Sequence, residues 1–324
     1  MGWRAWVGPA ARSICGLLAL LCLSACERPA PPLLGTPAGP YRLTLTLSPA
    51  APLPKAATTL SFALSHGTPP APVSDLQVMH ERRIHTFIVA RDFTSFAHIH
   101  HEDFAPLTAA DLAAGRFHFV YRFPTRGAYR VQSEFTHRER SWQKRFEVVV
   151  GSPLPPPSIP VDLARQQTVG DFQAQFAVSP ELPLAGHEVE LVITLSRLGL
   201  PVTDLQLLLG AEVHAAIWRL DGEDFSHAHS FTPQMAALMT RPHGAMPMAG
   251  HSAAMMLQMM SLPAQLVYPG PAVPLRHTFP SAGTYVIFLQ LAPAGRPTVF
   301  RFMLNVQPDP GGPVPLLHSI VPST

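Results

Sequence analysis

Histidine recurs in this chain in two closely similar patterns. In each half, two histidines lie two residues apart, and a third precedes them by thirteen residues. The members are His85, His98 and His100 in the first half and His214, His227 and His229 in the second. Side chains at positions i and i+2 of a strand point to the same face, so each pair can present two ring nitrogens to one ion. With the preceding histidine as third ligand, each set predicts a site for copper or zinc with one open position.

The surroundings of the two histidine sets differ. Met79, His80 and His101 could add ligands in the first half, whereas leucine or serine stands at the corresponding positions of the second half. If metal is bound, the two sites are therefore expected to differ in affinity. The alternative is that the histidines hydrogen-bond loops across a fold and that duplication copied a structural corner. Identical spacing in both halves, where the intervening residues have changed, favours the metal interpretation.

A second cluster of soft ligands lies in the second half, between residues 231 and 270. It contains eight of the eleven methionines: Met235, Met239, Met246, Met248, Met255, Met256, Met259 and Met260. Thioether sulfur prefers Cu(I) or Ag(I) to zinc, and His243, Met246, Met248 and His251 are spaced so that they could wrap one such ion. The last four methionines instead repeat at the spacing of one helix face, which is typical of an adaptable packing or partner-docking surface.

The two halves that carry these ligands align as a duplication. His85 falls on His214 at an offset of 129 residues, and the same offset holds through His100 and His229. Further along, the Phe-Pro turn at Phe123 falls on that at Phe279, an offset of 156. The difference of 27 residues predicts that the methionine-rich segment is an insert in the second repeat.

Each repeat has the pattern of a β domain. Apolar and polar residues alternate in short runs bounded by Pro, Gly or Ser, as in residues 41–47 and 187–195. The 37 prolines and only 14% charged residues argue against a helical bundle or coiled coil. We therefore expect an all-β protein of two tandem immunoglobulin/cupredoxin-like β-sandwich domains joined by a Pro-rich linker. One short helix is predicted after Thr108, and Phe96 and Phe225 are expected to face their own cores.

The first residues resemble a bacterial lipoprotein signal. Two arginines precede a short apolar run that ends in Leu23-Ser-Ala-Cys26, which matches the lipobox at every position. The resemblance implies cleavage before Cys26, lipidation of its thiol and attachment to a membrane facing the periplasm or exterior. The alternative is an ordinary secretory signal with an incidental cysteine. All three cysteines lie at or before position 26, so a processed chain would contain no disulfide.

These features predict the following organisation. It comprises a signal peptide at 1–25, a Pro-rich membrane tether at 26–40, a first sandwich at 41–150, a Pro-rich linker at 151–170, a second sandwich at 171–308 with a Met/His-rich insert at about 231–270, and a flexible tail at 309–324.

The histidine pattern resembles a signature of poorly characterised secreted and lipoprotein β-sandwich domains in bacteria. In the first half it reads as His85, Val89, Asp92, Phe96, His98 and His100. Such domains often occur in copper and heavy-metal handling settings, so the resemblance implies a metal association. In those domains proline usually follows the second histidine of the pair, whereas His101 and Ser230 follow here.

Together these observations predict a membrane-anchored, extracytoplasmic metal-binding lipoprotein for sequestration or delivery. Copper is the expected ion, ahead of zinc or silver, and a metal-donor or metal-acceptor protein is the expected partner. The alternative is a metal-free structural or protein-binding lipoprotein whose Met-rich insert docks a partner. No nucleophile elbow or phosphate loop predicts an enzyme, although a metallohydrolase stays open. A net charge of +2 without a basic stripe predicts no nucleic-acid partner.

Overall fold

The computed structural model of the chain describes residues 31–155, 158–230 and 267–311. The predicted signal peptide, Cys26, nearly all of the Met/His-rich insert and most of the predicted tail lie outside the described residues. No helix in the described part of the chain is long and apolar enough to span a membrane.

The first half forms a sandwich of two antiparallel sheets. Its elements are β1 (Leu33–Leu34), β2 (Tyr41–Ser48), β3 (Ala57–His66), β4 (Ala71–Pro72), β5 (Ile84–Ala90), β6 (Phe96–Ile99), a 3-10 turn (His101–Asp103), α1 (Ala109–Ala113), β7 (Arg116–Arg122), β8 (Gly127–His137) and β9 (Arg140–Val150). One sheet has the order β1-β2-β3-β4, with β7 also paired to β3, and the other has the order β6-β5-β8-β9. The core between them includes Leu45, Phe62 and Val131, all at most 2% exposed.

The second half repeats this arrangement. Its strands are β10 (Gln166–Val169), β11 (Phe172–Ser179), β12 (Glu188–Arg197), β13 (Leu200–Pro201), β14 (Leu205–Gln206), β15 (His214–Arg219), β16 (Phe225–His229), β17 (Val267–Tyr268), β18 (Ala272–Thr278), β19 (Gly283–Pro293) and β20 (Thr298–Val306). One sheet has the order β10-β11-β12-β13, with β18 also on β12. In the other, β16, β15 and β19 are consecutive, β20 also pairs with β19, and β14 and β17 extend it. The protein therefore consists of two tandem β-sandwiches, as the alternation predicts.

Local signals in the sequence explain several element boundaries. The Thr108 hydroxyl accepts a hydrogen bond from the backbone N–H of Asp111 and caps α1, and Gly115, at φ +59°, follows the helix. Two strands lie inside segments predicted to be a linker and a membrane tether: β10 within 151–170 and β1 within 26–40. For β10 the reason is a hairpin, because Gly170 at φ +60° allows a two-residue turn that pairs Val169 with Phe172.

The two sandwiches pack against each other through sheets that each contain histidine strands. A separate apolar cluster fills this interface, and its buried members are Phe87, Val89, Phe93, Ala216, Trp218, Val286, Phe288 and Met303. Strand β5 is buried along its whole length, since Ile84 and Ile88 face the first core while Phe87 and Val89 face the second sandwich. The interface places the outer faces of the two histidine-bearing sheets together.

Candidate metal centre

The first histidine set is assembled by one hairpin. His85 lies on β5, His98 on β6, and His100 directly after β6, so the two members of the pair share a face as their spacing predicts. His85 Nδ1 is 3.1 Å from His98 Nε2, and His100 Nε2 is 3.0 Å from each of these nitrogens. All three residues are at least 92% buried by relative exposure, at 3%, 8% and 2%. Three ring nitrogens thus meet at one point in a site shielded from water.

The opposite ring nitrogen of each histidine faces an acceptor. His85 Nε2 donates to the Met79 carbonyl at 2.9 Å, His98 Nδ1 lies 3.1 Å from Gln290 Oε1, and His100 Nδ1 lies 2.9 Å from Asp103 Oδ2. A neutral imidazole carries one N–H and one lone pair, so these contacts leave the lone pairs on the three converging nitrogens. Three lone pairs 3 Å apart repel one another unless a cation lies among them. Outer acceptors that fix the tautomer in this way are typical of metal-ligating histidines.

The second set repeats this geometry in part. His214 Nδ1 is 3.3 Å from His227 Nε2, and the outer nitrogens face the Leu208 carbonyl at 2.6 Å and Glu134 Oε2 at 3.0 Å. The His229 ring lies 4.6 Å from that of His214 and 4.3 Å from that of His227, between centroids. Among the described residues, the buried Nε2 of His229 has no hydrogen-bond partner. Such a nitrogen fits a bond to an ion.

The two sets meet at the interface between the sandwiches, which the sequence interpretation of two separate sites did not foresee. His98 offers a nitrogen within 4.8 Å of ligand nitrogens on His214 and His227. The His85 and His227 rings are 5.3 Å apart between centroids. We call these six side chains the histidine cluster: His85, His98, His100, His214, His227 and His229.

Of the three predicted extra ligands, His80 has its ring beside the histidine cluster. Its ring stacks on His229 of the other sandwich at 3.6 Å between centroids. Met79 contributes its backbone carbonyl, and His101 Nδ1 instead accepts from the backbone N–H of His118 at 3.0 Å. The surroundings of the two sets therefore differ, and the ring contacts of His80 are with His214 and His229 of the second set.

Two outer contacts cross the interface reciprocally. Gln290 of the second sandwich faces His98 of the first, and Glu134 of the first sandwich faces His227 of the second. Glu134 and Gln290 are equivalent at the offset of 156, and each pairs in its own sheet with His85 or His214. Two arginines at equivalent positions also form reciprocal hydrogen bonds across the interface. Arg145 donates to the Gly222 carbonyl, and Arg301 donates to the Phe93 carbonyl. These reciprocal contacts indicate a pseudo-twofold interface.

Burial keeps five of the six histidines in the cluster uncharged at neutral pH. It lowers the pKa of His85, His98, His227 and His229 well below the usual value of 6.5, and neighbouring histidines lower it further. Burial and the nearby His80 lower the pKa of His214 to about 3. Neutral imidazole is the form that binds metal, so these ligands are ready at neutral pH.

The two carboxylates next to the histidine cluster respond differently to their surroundings. Burial raises the pKa of Glu134 to about 7, although a hydrogen bond with Gln143 opposes this. For Asp103, burial would also raise the pKa, but hydrogen bonds from His100 and Arg82 outweigh it and hold the value below its usual range. Asp103 is therefore charged at neutral pH, and Glu134 is poised to become charged when a cation binds nearby.

The expectation that Phe96 and Phe225 face their own cores is wrong. Phe96 stacks on Phe288 of the second sandwich at 4.5 Å between centroids, and Phe225 lies 5.1 Å from Phe87 of the first. The reason is the period of a strand, because Phe96 and Phe225 lie two residues before His98 and His227 and so share their face.

Comparison with solved structures identifies many distantly similar chains. Similar chains include the Escherichia coli adhesin FdeC (12% identity, 85% of this chain and 65% of that chain, TM-score 0.24) and Escherichia coli alpha-2-macroglobulin (11%, 85% and 16%, 0.23). A third is invasin, a bacterial integrin-binding protein (12%, 83% and 40%, 0.23). This chain spans less than two thirds of each. No curated protein matches.

A family profile, in contrast, matches most of the chain. It covers residues 38–152 and 167–308, one match in each sandwich. The two matched regions contain all six members of the histidine cluster. The chain belongs to the family described as Domain of unknown function (DUF8832), of which it carries two copies.

Proposed function

We propose that the protein binds copper through the histidine cluster and serves its sequestration or delivery at the cell envelope. The observation that carries this proposal is the convergence of His85 Nδ1, His98 Nε2 and His100 Nε2 at 3.0 to 3.1 Å, with every outer nitrogen facing an acceptor. An ion with nitrogen bonds of about 2 Å would replace three mutually repelling lone pairs by three bonds.

The chemistry of the ligands favours copper over zinc. The cluster offers neutral imidazoles, which suit both ions, and contains no thiolate. The segment 231–266, which lies outside the described residues, follows Ser230 and holds the sequence His243, Met246, Met248 and His251. Its thioethers favour a soft monovalent ion such as Cu(I), with Ag(I) as the closest mimic. We propose that this segment exchanges the ion with a donor or acceptor protein.

The lipobox resemblance supports the location. Lipidation of Cys26 would hold the chain on a membrane surface facing the periplasm or exterior, where thiols tend to oxidise and histidine and methionine are durable ligands. A chain tethered in this way could intercept copper that crosses the envelope.

Metal analysis of the protein purified from its own cell envelope tests the proposal. We expect copper above the other transition metals, and a loss of most of it in a His98→Gln/His227→Gln variant. His187→Gln provides the matched control, since His187 is an exposed histidine paired with Asp309 outside the cluster. Copper content that is the same in all three proteins would refute the proposed site. A protein that is folded but copper-free in every case would support the metal-free, partner-docking alternative.

A further inference from the structure

We propose that the histidine cluster holds two metal ions at once, as a magnetically coupled pair across the interface of the two sandwiches. This inference rests on the proposed function and adds the number of ions and their proximity. The first ion belongs to His85, His98 and His100, and the second belongs to His214, His227 and His229.

The distances place the two ions close together. One nitrogen of His98 lies within 4.8 Å of ligand nitrogens on His214 and His227. A copper or zinc ion binds about 2 Å from its nitrogen ligand, so two ions bound through these nitrogens would be at most about 9 Å apart. Ring contacts also join the sets, since His98 lies 5.6 Å from His214 and 5.3 Å from His227 between centroids. At such separations, two unpaired electrons interact strongly enough to alter each other's spectra.

The ligand count matches two ions better than one. Six imidazoles exceed the needs of a single four-coordinate ion, whereas three per ion leave each with one open position. The buried Nε2 of His229, which has no hydrogen-bond partner among the described residues, also lies in the second set. A single ion in the first set would leave this buried nitrogen unused.

The adjacent carboxylates offset the repulsion between two cations. Each set has one carboxylate hydrogen-bonded to the outer nitrogen of a ligand: Asp103 on His100, and Glu134 on His227. Arg82 also contacts Asp103 at 3.2 Å, so the first set gains less negative charge than the second. One carboxylate per set is the distribution that two ions need, and a carboxylate behind a ligating histidine raises its basicity.

The crossed outer contacts make the two sites depend on each other. Gln290 of the second sandwich orients His98, and Glu134 of the first orients His227. Neither set has its full outer shell unless the sandwiches are docked. An ion in one set therefore stabilises the interface that completes the other, which predicts positive coupling between the two binding events.

Copper titration with electron paramagnetic resonance tests the proposal on the full mature chain, with Cu(II) as the probe. Because the methionine-rich segment could bind extra copper, the titration uses a chain with His243→Ala, Met246→Leu, Met248→Leu and His251→Ala. We expect two ions per chain, with broadened lines and a half-field signal from the dipolar coupling of the two spins. A His85→Gln/His100→Gln variant should bind one ion and regain the full mononuclear signal.

Three results would overturn this inference while leaving the proposed function in place. The first is two ions with full, unbroadened mononuclear signals. The second is one ion per chain whose binding is lost on substituting His98, His214 or His227 but not His85 or His100, which would indicate a mixed set. The third is that the chain binds two ions but gives the same electron paramagnetic resonance signal as the His85→Gln/His100→Gln variant. Absence of copper binding in a folded chain would overturn the proposed function as well. If the double variant fails to fold, His214→Gln/His229→Gln removes the other set and carries the same expectation.

Discussion

At the scale of residues, metal binding at the proposed site depends on which ring nitrogens carry protons and which carry lone pairs. The spacing of His85, His98 and His100 in the sequence was enough to predict that their side chains group at one site. The residues that orient these histidines could not be predicted from the sequence. Asp103 acts through a local turn, and Gln290 is 192 positions from its partner His98. The equivalence of Glu134 and Gln290 in the duplication was a usable signal. Without the fold, however, neither has a visible link to a histidine.

The buried histidines predict an acid sensitivity of the metal-free protein. Their pKa values in the folded state lie below 6.5, so the unfolded chain binds more protons as the pH falls below 6.5. Stability is therefore full above pH 6.5 and is lost progressively below it, down to the folded-state pKa, which is about 3 for His214. Between pH 7 and 5.5 each such histidine should cost about 1 kcal/mol of unfolding free energy.

Urea unfolding with a chelator present measures this loss. The variant His214→Gln should show a shallower decline between pH 7 and 5.5 than the unsubstituted chain. The unfolding free energy of the His187→Gln variant, changed at an exposed position, should decline in parallel with that of the unsubstituted chain. Equal slopes for all three proteins would contradict the assignment of His214 as a buried neutral base.

Glu134 offers a second prediction at this scale. Replacing it by glutamine removes the charge behind His227 and keeps the shape, so copper affinity of the second set should fall about tenfold or more. Glu147→Gln on β9 is the matched control, because Glu147 is exposed and contacts Arg91 and Arg130 instead of a histidine. Competition with a copper chelator measures the copper affinity of both variants. An affinity unchanged by Glu134→Gln but reduced by Glu147→Gln would contradict the role of Glu134.

At the scale of elements, the strands that carry the first histidine of each set, β5 and β15, are covered on both faces. Ile84 to Ala90 forms a nearly continuous apolar run, and every residue of β5 is buried. A strand buried on both faces is expected to show such a run, so the sequence contained a signal that another layer covers β5. The alternation in β2 and β12, in contrast, is clean, and these strands were predictable as one-sided. The partner of the outer face was not predictable, because it depends on how two separate cores pack.

The interface cluster predicts a separation between stability and metal binding. Trp218→Leu removes a fully buried ring between Phe87 and Phe288, and should cost about 2 to 4 kcal/mol and loosen the docking of the two sandwiches. Copper affinity should fall with it, although no ligand changes. Phe62→Leu in the first core, away from the interface, should reduce stability but leave copper affinity close to that of the unsubstituted chain. Thermal unfolding and chelator competition on both variants make the comparison, and equal losses of affinity would contradict the coupling.

At the scale of the whole molecule, duplication supplied two histidine sets that meet at one interface. Each sandwich has its own core and three of the six histidines, and the crossed contacts of Gln290, Glu134, Arg145 and Arg301 join them. The two-domain plan, the strand patterning and the repeat were predictable from self-alignment and alternation. The convergence of the two sets was not, because an alignment places equivalent residues in register but carries no information on their distance in space.

The resemblance to a lipobox makes a prediction about the whole chain in its cell. Cys26→Ser removes the thiol that would be acylated, so the protein should move from the membrane fraction to the soluble fraction and lose incorporation of labelled fatty acid. Cys22→Ser, within the apolar run, is the control and should leave both unchanged. Retention of the label in the Cys26→Ser protein would refute the anchor.

The most direct test of the metal site is anomalous diffraction at the copper absorption edge, from crystals of the full mature chain grown with copper. We expect anomalous density bonded to His85 Nδ1, His98 Nε2 and His100 Nε2, and a second maximum at His214, His227 and His229. Crystals in which copper is bound elsewhere, and in which these six histidines are linked only by waters and hydrogen bonds, would contradict the account.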